Sequence, residues 1–108
     1  MIKFKQYDIV IVNLDPTIGS EINKTRPAII VSPDEMNKPL MTVTICPVTS
    51  KSRKYPTRID FDLEGNLNWI VVDQIRTVDK KRIIKNIGKL QQKTIDEVKQ
   101  VIKETFVD

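Results

Sequence analysis

The sequence of 108 residues contains no histidine and only one cysteine, Cys46. Without imidazole, nucleophilic systems built on a Ser–His or Cys–His pair are excluded, and the commonest metal ligand is missing. A single cysteine also excludes an internal disulfide and a cysteine-rich metal site. Because Cys46 lies in a predicted strand, between Ile45 and Pro47, we interpret it as a buried structural thiol. Acid–base chemistry in this chain would have to use carboxylates, hydroxyls or guanidinium groups.

The sequence also lacks long apolar runs. No stretch approaches the roughly 18 consecutive apolar residues that a membrane-spanning helix needs. The N-terminus has no apolar signal core, so we expect a cytoplasmic protein with no membrane association. The length predicts one domain, residues 1–108, and the contents of 40% hydrophobic and 30% charged residues are typical of a globular one. A net charge of +4 favours polyanionic partners.

Short β-branched runs bounded by turn residues predict a mainly β fold. We expect five to six short antiparallel strands, within residues 7–14, 26–32, 41–46, 57–63, 69–72 and 83–87. Thr94 and Glu97 have the spacing of a capping box, and apolar residues recur at helical spacing from Ile95 to Phe106. These patterns predict a small, strongly curved sheet or barrel with a C-terminal helix, an α+β arrangement.

The connection between the first two predicted strands is longer than a hairpin needs, and loops of this length are often functional. Its potential anion contacts are Ser20, Lys24 and Arg26. Arg26 stands where the loop becomes strand, and Pro27 restricts it to an extended backbone, which orients the guanidinium in advance. The residue types alone leave open whether Arg26 binds an anion or forms an ion pair with Glu21 or Asp15.

Four segments, in this order and spacing, resemble the MazF/PemK (Kid) toxins of bacterial type II toxin–antitoxin systems. They are residues 8–10 with 13–21, 25–31, 47–51 and 73–80, and the resemblance covers nearly the whole chain. It implies an SH3-like barrel with a terminal helix, forming a homodimer. It also implies a toxin that is a ribosome-independent, sequence-specific endoribonuclease acting on single-stranded mRNA.

The activity implied by this resemblance needs no metal and no cofactor. The ribose 2′-hydroxyl attacks the adjacent phosphate and leaves a 2′,3′-cyclic phosphate and a 5′-hydroxyl. A cognate antitoxin would inhibit the toxin, and a basic groove makes a disordered acidic segment a natural inhibitor. The absence of histidine is compatible with this chemistry, because carboxylates, hydroxyls and arginines can supply the proton transfers and the cationic stabilisation that it needs.

The resemblance places the family's catalytic arginine on Arg26 and its catalytic threonine on Thr49. Arg26 can stabilise the charge of the phosphorane through two hydrogen bonds and can donate a proton. Thr49 can hold a phosphate oxygen or the 2′-hydroxyl, and the alternative is that it caps a turn. Glu21 is a candidate base in the loop.

Asp73 matches a position implicated in the active site of some family members. Those members carry an arginine two residues earlier, where this sequence has Val71. A structural pairing of Asp73 with Arg76 or Arg26 is therefore an open alternative to a catalytic role. The residues expected to contact RNA are Asp15, Gly19, Ser20, Lys24, Ser50, Lys51, Gln74 and Arg76. Among these, an amide can read a base edge, and a guanidinium can hold phosphate or stack on a base.

Two other functions stay open. Gyrase-poisoning toxins of the CcdB type share the barrel, but they lack the Arg26 and Thr49 pair and act through the end of the terminal helix. A non-catalytic nucleic-acid-binding barrel is compatible with the mildly basic composition. Cleavage of naked RNA in EDTA distinguishes a metal-independent ribonuclease from both.

Overall fold

A computed structural model describes residues 2–14 and 25–108. Within these ranges the chain forms seven β-strands, two α-helices and two 3₁₀ turns. The strands are β1 (Asp8–Asn13), β2 (Thr25–Ile30), β3 (Thr42–Thr49), β4 (Arg58–Leu63), β5 (Asn66–Val71), β6 (Arg76–Asp79) and β7 (Ile83–Lys89). The α-helices are α1 (Asp34–Asn37) and α2 (Gln92–Phe106), and the 3₁₀ turns cover Val72–Gln74 and Lys80–Arg82. No helix among the described residues is long and apolar enough to cross a membrane.

Strand β3 organises the sheet because it pairs on both edges. One edge is antiparallel to β2, while the other pairs with β6 over Thr42–Ile45 and with β5 over Val48 and Thr49. The strand order is β4-β5-β3-β2-β1-β7, and β6 lies off this path against β3. The antiparallel sheet therefore curls into a half-barrel, with the β4–β5 hairpin extending from one end of β3.

Alternation along the strands gives the sheet two apolar faces. One face joins β1, β2, β3, β6 and β7 in a cluster built from Val10, Val12, Ala28, Ile30, Val43, Ile45, Val78 and Ile83. The other face carries Ile29, Cys46 and Ile70, and it packs against Val98 of α2. Helix α2 is held on the sheet by this second cluster, as its apolar stripe predicts.

The predicted class, mainly β with a C-terminal helix, is confirmed, but the structure has seven strands where five to six were expected. The strand missed by the sequence pattern is β6, in which Val78 alone is buried. One apolar position gives no alternation to recognise. In addition, β3 continues past Pro47 to Thr49. Pro47 lies between the residues that pair with β6 and those that pair with β5, so its missing N–H removes no ladder bond to either strand.

The start of α2 differs from its prediction. The helix begins at Gln92, so Thr94 lies inside its first turn. Gln91 is the N-cap residue, and its side chain makes no capping hydrogen bond. The capping-box interpretation of Thr94 and Glu97 was therefore wrong, although the helix itself is confirmed. Burial of the apolar stripe stabilises a helix more than a cap does, which is why it forms here without one.

Candidate active site

Arg26 and Thr49 lie at the ends of the neighbouring strands β2 and β3. Arg26 is the second residue of β2, and Thr49 is the last residue of β3. The register pairs Ala28 with Pro47 and Ile29 with Cys46. Continued for two residues, this antiparallel register places Arg26 opposite Thr49. The side chain of Arg26 is exposed and that of Thr49 is half-buried.

A cleft of about 540 Å³ opens at this edge of the sheet. It is lined by Leu14, Arg26, Pro47, Val48, Thr49, Lys51, Arg58, Val71, Gln74 and Arg76. Four of these side chains are cations, and no carboxylate is found among the described lining residues. Because four cationic side chains line one space and Asp73 pairs with only one of them, Arg58, the cleft is suited to a polyanion.

The cleft brings together five of the predicted site residues, namely Arg26, Thr49, Lys51, Gln74 and Arg76. Ser50 is exposed but does not line the cleft. The predicted site residues Asp15, Gly19, Ser20, Glu21 and Lys24 lie outside the described residues. In the part of the chain that is described, no group of three or more Cys, Asp or Glu side chains is placed to hold a metal ion.

Thr49 also holds the turn that follows β3. Its Oγ1 accepts a hydrogen bond from the N–H of Lys51 at 3.1 Å and lies 3.4 Å from the carbonyl oxygen of the same residue. The turn-capping alternative is thus present in the structure. Capping the turn is compatible with binding a phosphate, because Thr49 Oγ1 is the acceptor in the 3.1 Å bond from the N–H of Lys51. The hydroxyl proton of Thr49 makes only the 3.4 Å contact with the carbonyl oxygen and can turn towards a phosphate oxygen.

Asp73 is paired, but with neither of the expected partners. Its Oδ1 accepts hydrogen bonds from Thr57 Oγ1 at 2.8 Å and from Arg58 Nε at 3.3 Å. Its Oδ2 lies 3.5 Å from Arg58 Nη2. Desolvation by burial raises the pKa of Asp73, but hydrogen bonds from Arg58 and Thr57 outweigh it, and the pKa lies below its ordinary value. The proposed pairing with Arg76 or Arg26 was wrong, because the hairpin brings Arg58 closer.

Arg58 was missed by the sequence reasoning. Strand β4 looked like an ordinary half-exposed strand, and an arginine on its polar face carries no motif. The one signal that could have identified Arg58 is the register of the β4–β5 hairpin, which pairs Arg58 with Val71. An arginine opposite Val71 brings a guanidinium close to the position where some family members carry their own.

Cys46 is fully buried, as predicted. Burial, together with the nearby charge of Asp73, raises the pKa of its thiol to about 12. The thiolate is the nucleophilic form of cysteine, and at neutral pH it is not populated here. Cys46 is therefore a packing residue of the core and takes no part in the chemistry of the cleft.

A larger groove of about 770 Å³ lies at the N-terminal segment 2–5 and contains none of the predicted site residues. Its lysines are interspersed with Asp8 and Asp34, which accept hydrogen bonds from the backbone N–H groups of Lys5 and Gln6, each at 2.8 Å. The mixed charge makes this groove less suited to a polyanion than the smaller cleft, despite its size.

Known proteins resemble this chain along almost its entire length. Residues 5–106 match the family described as PemK-like, MazF-like toxin of type II toxin-antitoxin system. Endoribonuclease EndoA of Bacillus subtilis (strain 168) is 28% identical over 104 residues, which cover 91% of this chain and 90% of that protein. Endoribonuclease MazF of Staphylococcus saprophyticus is 31% identical over 101 residues, which cover 88% of this chain and 84% of that protein.

Solved structures show the same fold. The Mycobacterium tuberculosis toxin MazF-mt6 has a TM-score of 0.78 at 23% identity, covering 92% of this chain and 95% of its own. MazF in the MazE-MazF complex (Form-III) from Deinococcus radiodurans also has a TM-score of 0.78 at 23% identity, covering 93% and 92%. The family match covers residues 5–106, and one relative is 31% identical, so membership of the family is established. The chain belongs to the PemK-like, MazF-like family of toxins of type II toxin–antitoxin systems.

Proposed function

We propose that residues 1–108 form a single endoribonuclease domain, the toxin component of a toxin–antitoxin system, which cuts single-stranded mRNA sequence-specifically and without the ribosome. The observation that carries the proposal is the cleft in which Arg26 and Thr49 meet three further cations and Gln74. The family match favours this function over gyrase poisoning by a CcdB-type toxin. The relatives named endoribonucleases favour it over a non-catalytic nucleic-acid-binding barrel.

The proposed reaction is an internal transfer at phosphorus. The 2′-oxygen bonds to the adjacent phosphorus while its proton leaves, the bond from phosphorus to the 5′-oxygen breaks, and that oxygen takes up a proton. The products are a 2′,3′-cyclic phosphate and a 5′-hydroxyl. Arg26 stabilises the charge of the phosphorane, and Thr49 holds a phosphate oxygen or the 2′-hydroxyl. Lys51 and Arg76 hold neighbouring phosphates, and Gln74 reads a base edge.

The function proposed for Asp73 follows from its contacts. Both oxygens of Asp73 lie within hydrogen-bond distance of Arg58, and one also accepts a hydrogen bond from Thr57. These contacts stabilise the charged carboxylate, so Asp73 is a weak base at neutral pH. We therefore assign Asp73 a supporting function. Glu21 stays the candidate base.

The test of this function is cleavage of naked single-stranded RNA in EDTA. We expect cuts at defined sequences with 5′-hydroxyl ends, while duplex RNA and DNA stay intact, because the 2′-hydroxyl must be present and free to align. Protein carrying Arg26→Ala, purified identically, controls for contaminating nucleases. Cleavage that requires added Mg²⁺, or gyrase inhibition with no RNA cleavage, would contradict the proposal.

We also propose a homodimer. The family resemblance implies a homodimer with an RNA site shared across its two-fold axis, and the cleft of one chain, about 540 Å³, is small for a sequence-specific RNA site. Met36, Leu40 and Met41 support an interface, since their exposed fractions are 46%, 44% and 66% within six consecutive residues. Sedimentation should give twice the chain mass of 12.5 kDa. A fully active species at the monomer mass would overturn the dimer.

The proposed protein partner is a cognate antitoxin. The solved neighbours include MazF bound to MazE from Deinococcus radiodurans. A disordered acidic segment suits the cationic cleft of this chain, and it would compete directly with RNA. An acidic antitoxin peptide should therefore displace an uncleavable RNA analogue. If both bind at once without affecting each other, the antitoxin does not occupy the cleft.

A further inference from the structure

Among the described residues that line the cleft, Arg58 is the most firmly held cation. Its Nε and Nη2 face the two oxygens of Asp73 at 3.3 and 3.5 Å, and its Nη1 donates to Ser52 Oγ at 2.9 Å. The guanidinium carbon lies 5.0 Å from the centroid of the Tyr55 ring. Three separate points, on the 3₁₀ turn and on the loop before β4, thus fix one side chain. Only 20% of that side chain is exposed.

The other three cations of the cleft have no such contacts among the described residues. The side chains of Arg26, Lys51 and Arg76 make no hydrogen bond or ion pair within the described residues, and all three residues are exposed. Ordering such a side chain on a ligand costs rotamer entropy. Arg58 has already lost that freedom in the folded protein. A phosphate that binds Arg58 therefore loses less free energy to side-chain ordering than one that binds a lysine or arginine held by no other contact.

The guanidinium keeps donors for a ligand. Asp73 engages the edge formed by Nε and Nη2, and Ser52 takes one N–H of Nη1. A guanidinium has more N–H groups than these three contacts use, and the remaining ones lie on the two terminal nitrogens. A fork of two N–H groups matches the oxygens of a phosphate. The Asp73 carboxylate neutralises part of the charge, but its two contacts also hold the guanidinium in one orientation.

We propose that Arg58 is a phosphate-binding residue of the RNA cleft and that Asp73 is a positioning residue that orients it, an inference that rests on the proposed function. Arg58 stands on the β4–β5 hairpin, whereas Arg26 and Thr49 stand on β2 and β3. In this proposal the phosphate held by Arg58 is a flanking one and not the phosphate that is cut. Losing this contact weakens RNA binding and raises KM, while the rate at saturating RNA changes little.

The experiment compares Arg58→Gln with the matched control Arg53→Gln. Both changes remove one positive charge from the same region, but Arg53 is exposed and does not line the cleft. The affinity for an uncleavable 2′-deoxy RNA analogue is measured as a function of salt concentration. For Arg58→Gln we expect about tenfold weaker binding and a salt slope reduced by about 0.7, the value for one phosphate contact on a single strand. For Arg53→Gln we expect a much smaller change in both.

Two further variants separate positioning from catalysis and from folding. Arg58→Lys keeps the charge, so it should retain most of the salt slope without recovering the full affinity. Asp73→Asn should weaken binding of the analogue in the wild-type background and have no added effect when combined with Arg58→Gln. Melting temperatures of all variants identify losses that come from unfolding.

The outcomes are distinct. A salt slope that is unchanged in Arg58→Gln, with only the melting temperature lowered, overturns phosphate binding by Arg58. Loss of cleavage in Asp73→Asn with normal binding of the analogue makes Asp73 a base and overturns its positioning role. The wild-type protein could cut no RNA and still bind the analogue with a steeper salt dependence than Arg58→Gln. In that case the proposed function is wrong, while Arg58 is supported as a phosphate contact.

Discussion

Replacing Arg26 with alanine should lower the rate of RNA cleavage by roughly 10²–10⁴-fold, the range expected for removing one positioned acid or oxyanion stabiliser. Arg26 stands at the start of β2, opposite the end of β3, in the cleft that also holds Thr49. Negative charge accumulates on the phosphorane oxygens only as the 2′-oxygen attacks. A cation that acts mainly on that charge contributes to the transition state far more than to the bound substrate.

The Arg26→Ala change should affect RNA binding much less than the rate of cleavage. Binding of the uncleavable 2′-deoxy analogue should weaken much less in the Arg26→Ala variant than the cleavage rate does, since the lost interaction acts mainly in the transition state. Arg26→Lys should recover only part of the rate, because a point charge does not reproduce the planar fork of a guanidinium. Cleavage rate, analogue affinity and melting temperature measured on the three proteins provide the comparison.

The opposite pattern would show that Arg26 is structural. If Arg26 mainly ties the preceding loop through an ion pair with Glu21 or Asp15, the alanine variant should melt earlier. Lysine should then substitute well, because an ion pair at the surface tolerates either cation. A large loss of melting temperature combined with near-normal cleavage by the folded fraction would remove Arg26 from the catalytic assignment.

The parts of the fold that could be predicted are those with a local signal. Alternation across β4 and the turn at Glu64 and Gly65 predict the β4–β5 hairpin, and the apolar stripe predicts α2. Arg26 and Thr49 were chosen as candidate site residues because they lie in segments that resemble a known family. Their proximity then follows from the pairing of β2 with β3.

The rest depends on pairings between distant parts of the chain. Strand β6 has one buried residue, and it is a strand only because β3 offers it an edge. The partner of Asp73 could not be deduced either, because its spacing from Arg76 and from Arg58 is uninformative until the β4–β5 register is known. That register places Arg58 opposite Val71, beside the turn that carries Asp73. Polar contacts across a hairpin leave no periodic trace in the sequence.

A single 2′-deoxy substitution in the RNA should have the largest effect of all, complete loss of cleavage at that site. The proposed mechanism draws its nucleophile from the substrate, so removing the hydroxyl 5′ to the cut removes the reaction and not merely a contact. A mechanism that activates water would not need this hydroxyl. The described part of the cleft offers four cations, the hydroxyl of Thr49 and the amide of Gln74, which suit stabilisation of a phosphorane formed by an internal nucleophile.

The measurement that tests this account most directly uses one oligoribonucleotide containing a mapped cut site, prepared with and without a 2′-deoxy residue immediately 5′ to the scissile phosphate. Both are incubated with the protein in EDTA, and affinity is measured in parallel to show that each one binds. The proposed mechanism predicts cleavage of the all-ribose strand to a 2′,3′-cyclic phosphate and a 5′-hydroxyl, and no cut in the substituted strand at comparable affinity. Cleavage of the substituted strand at the same phosphate would contradict it.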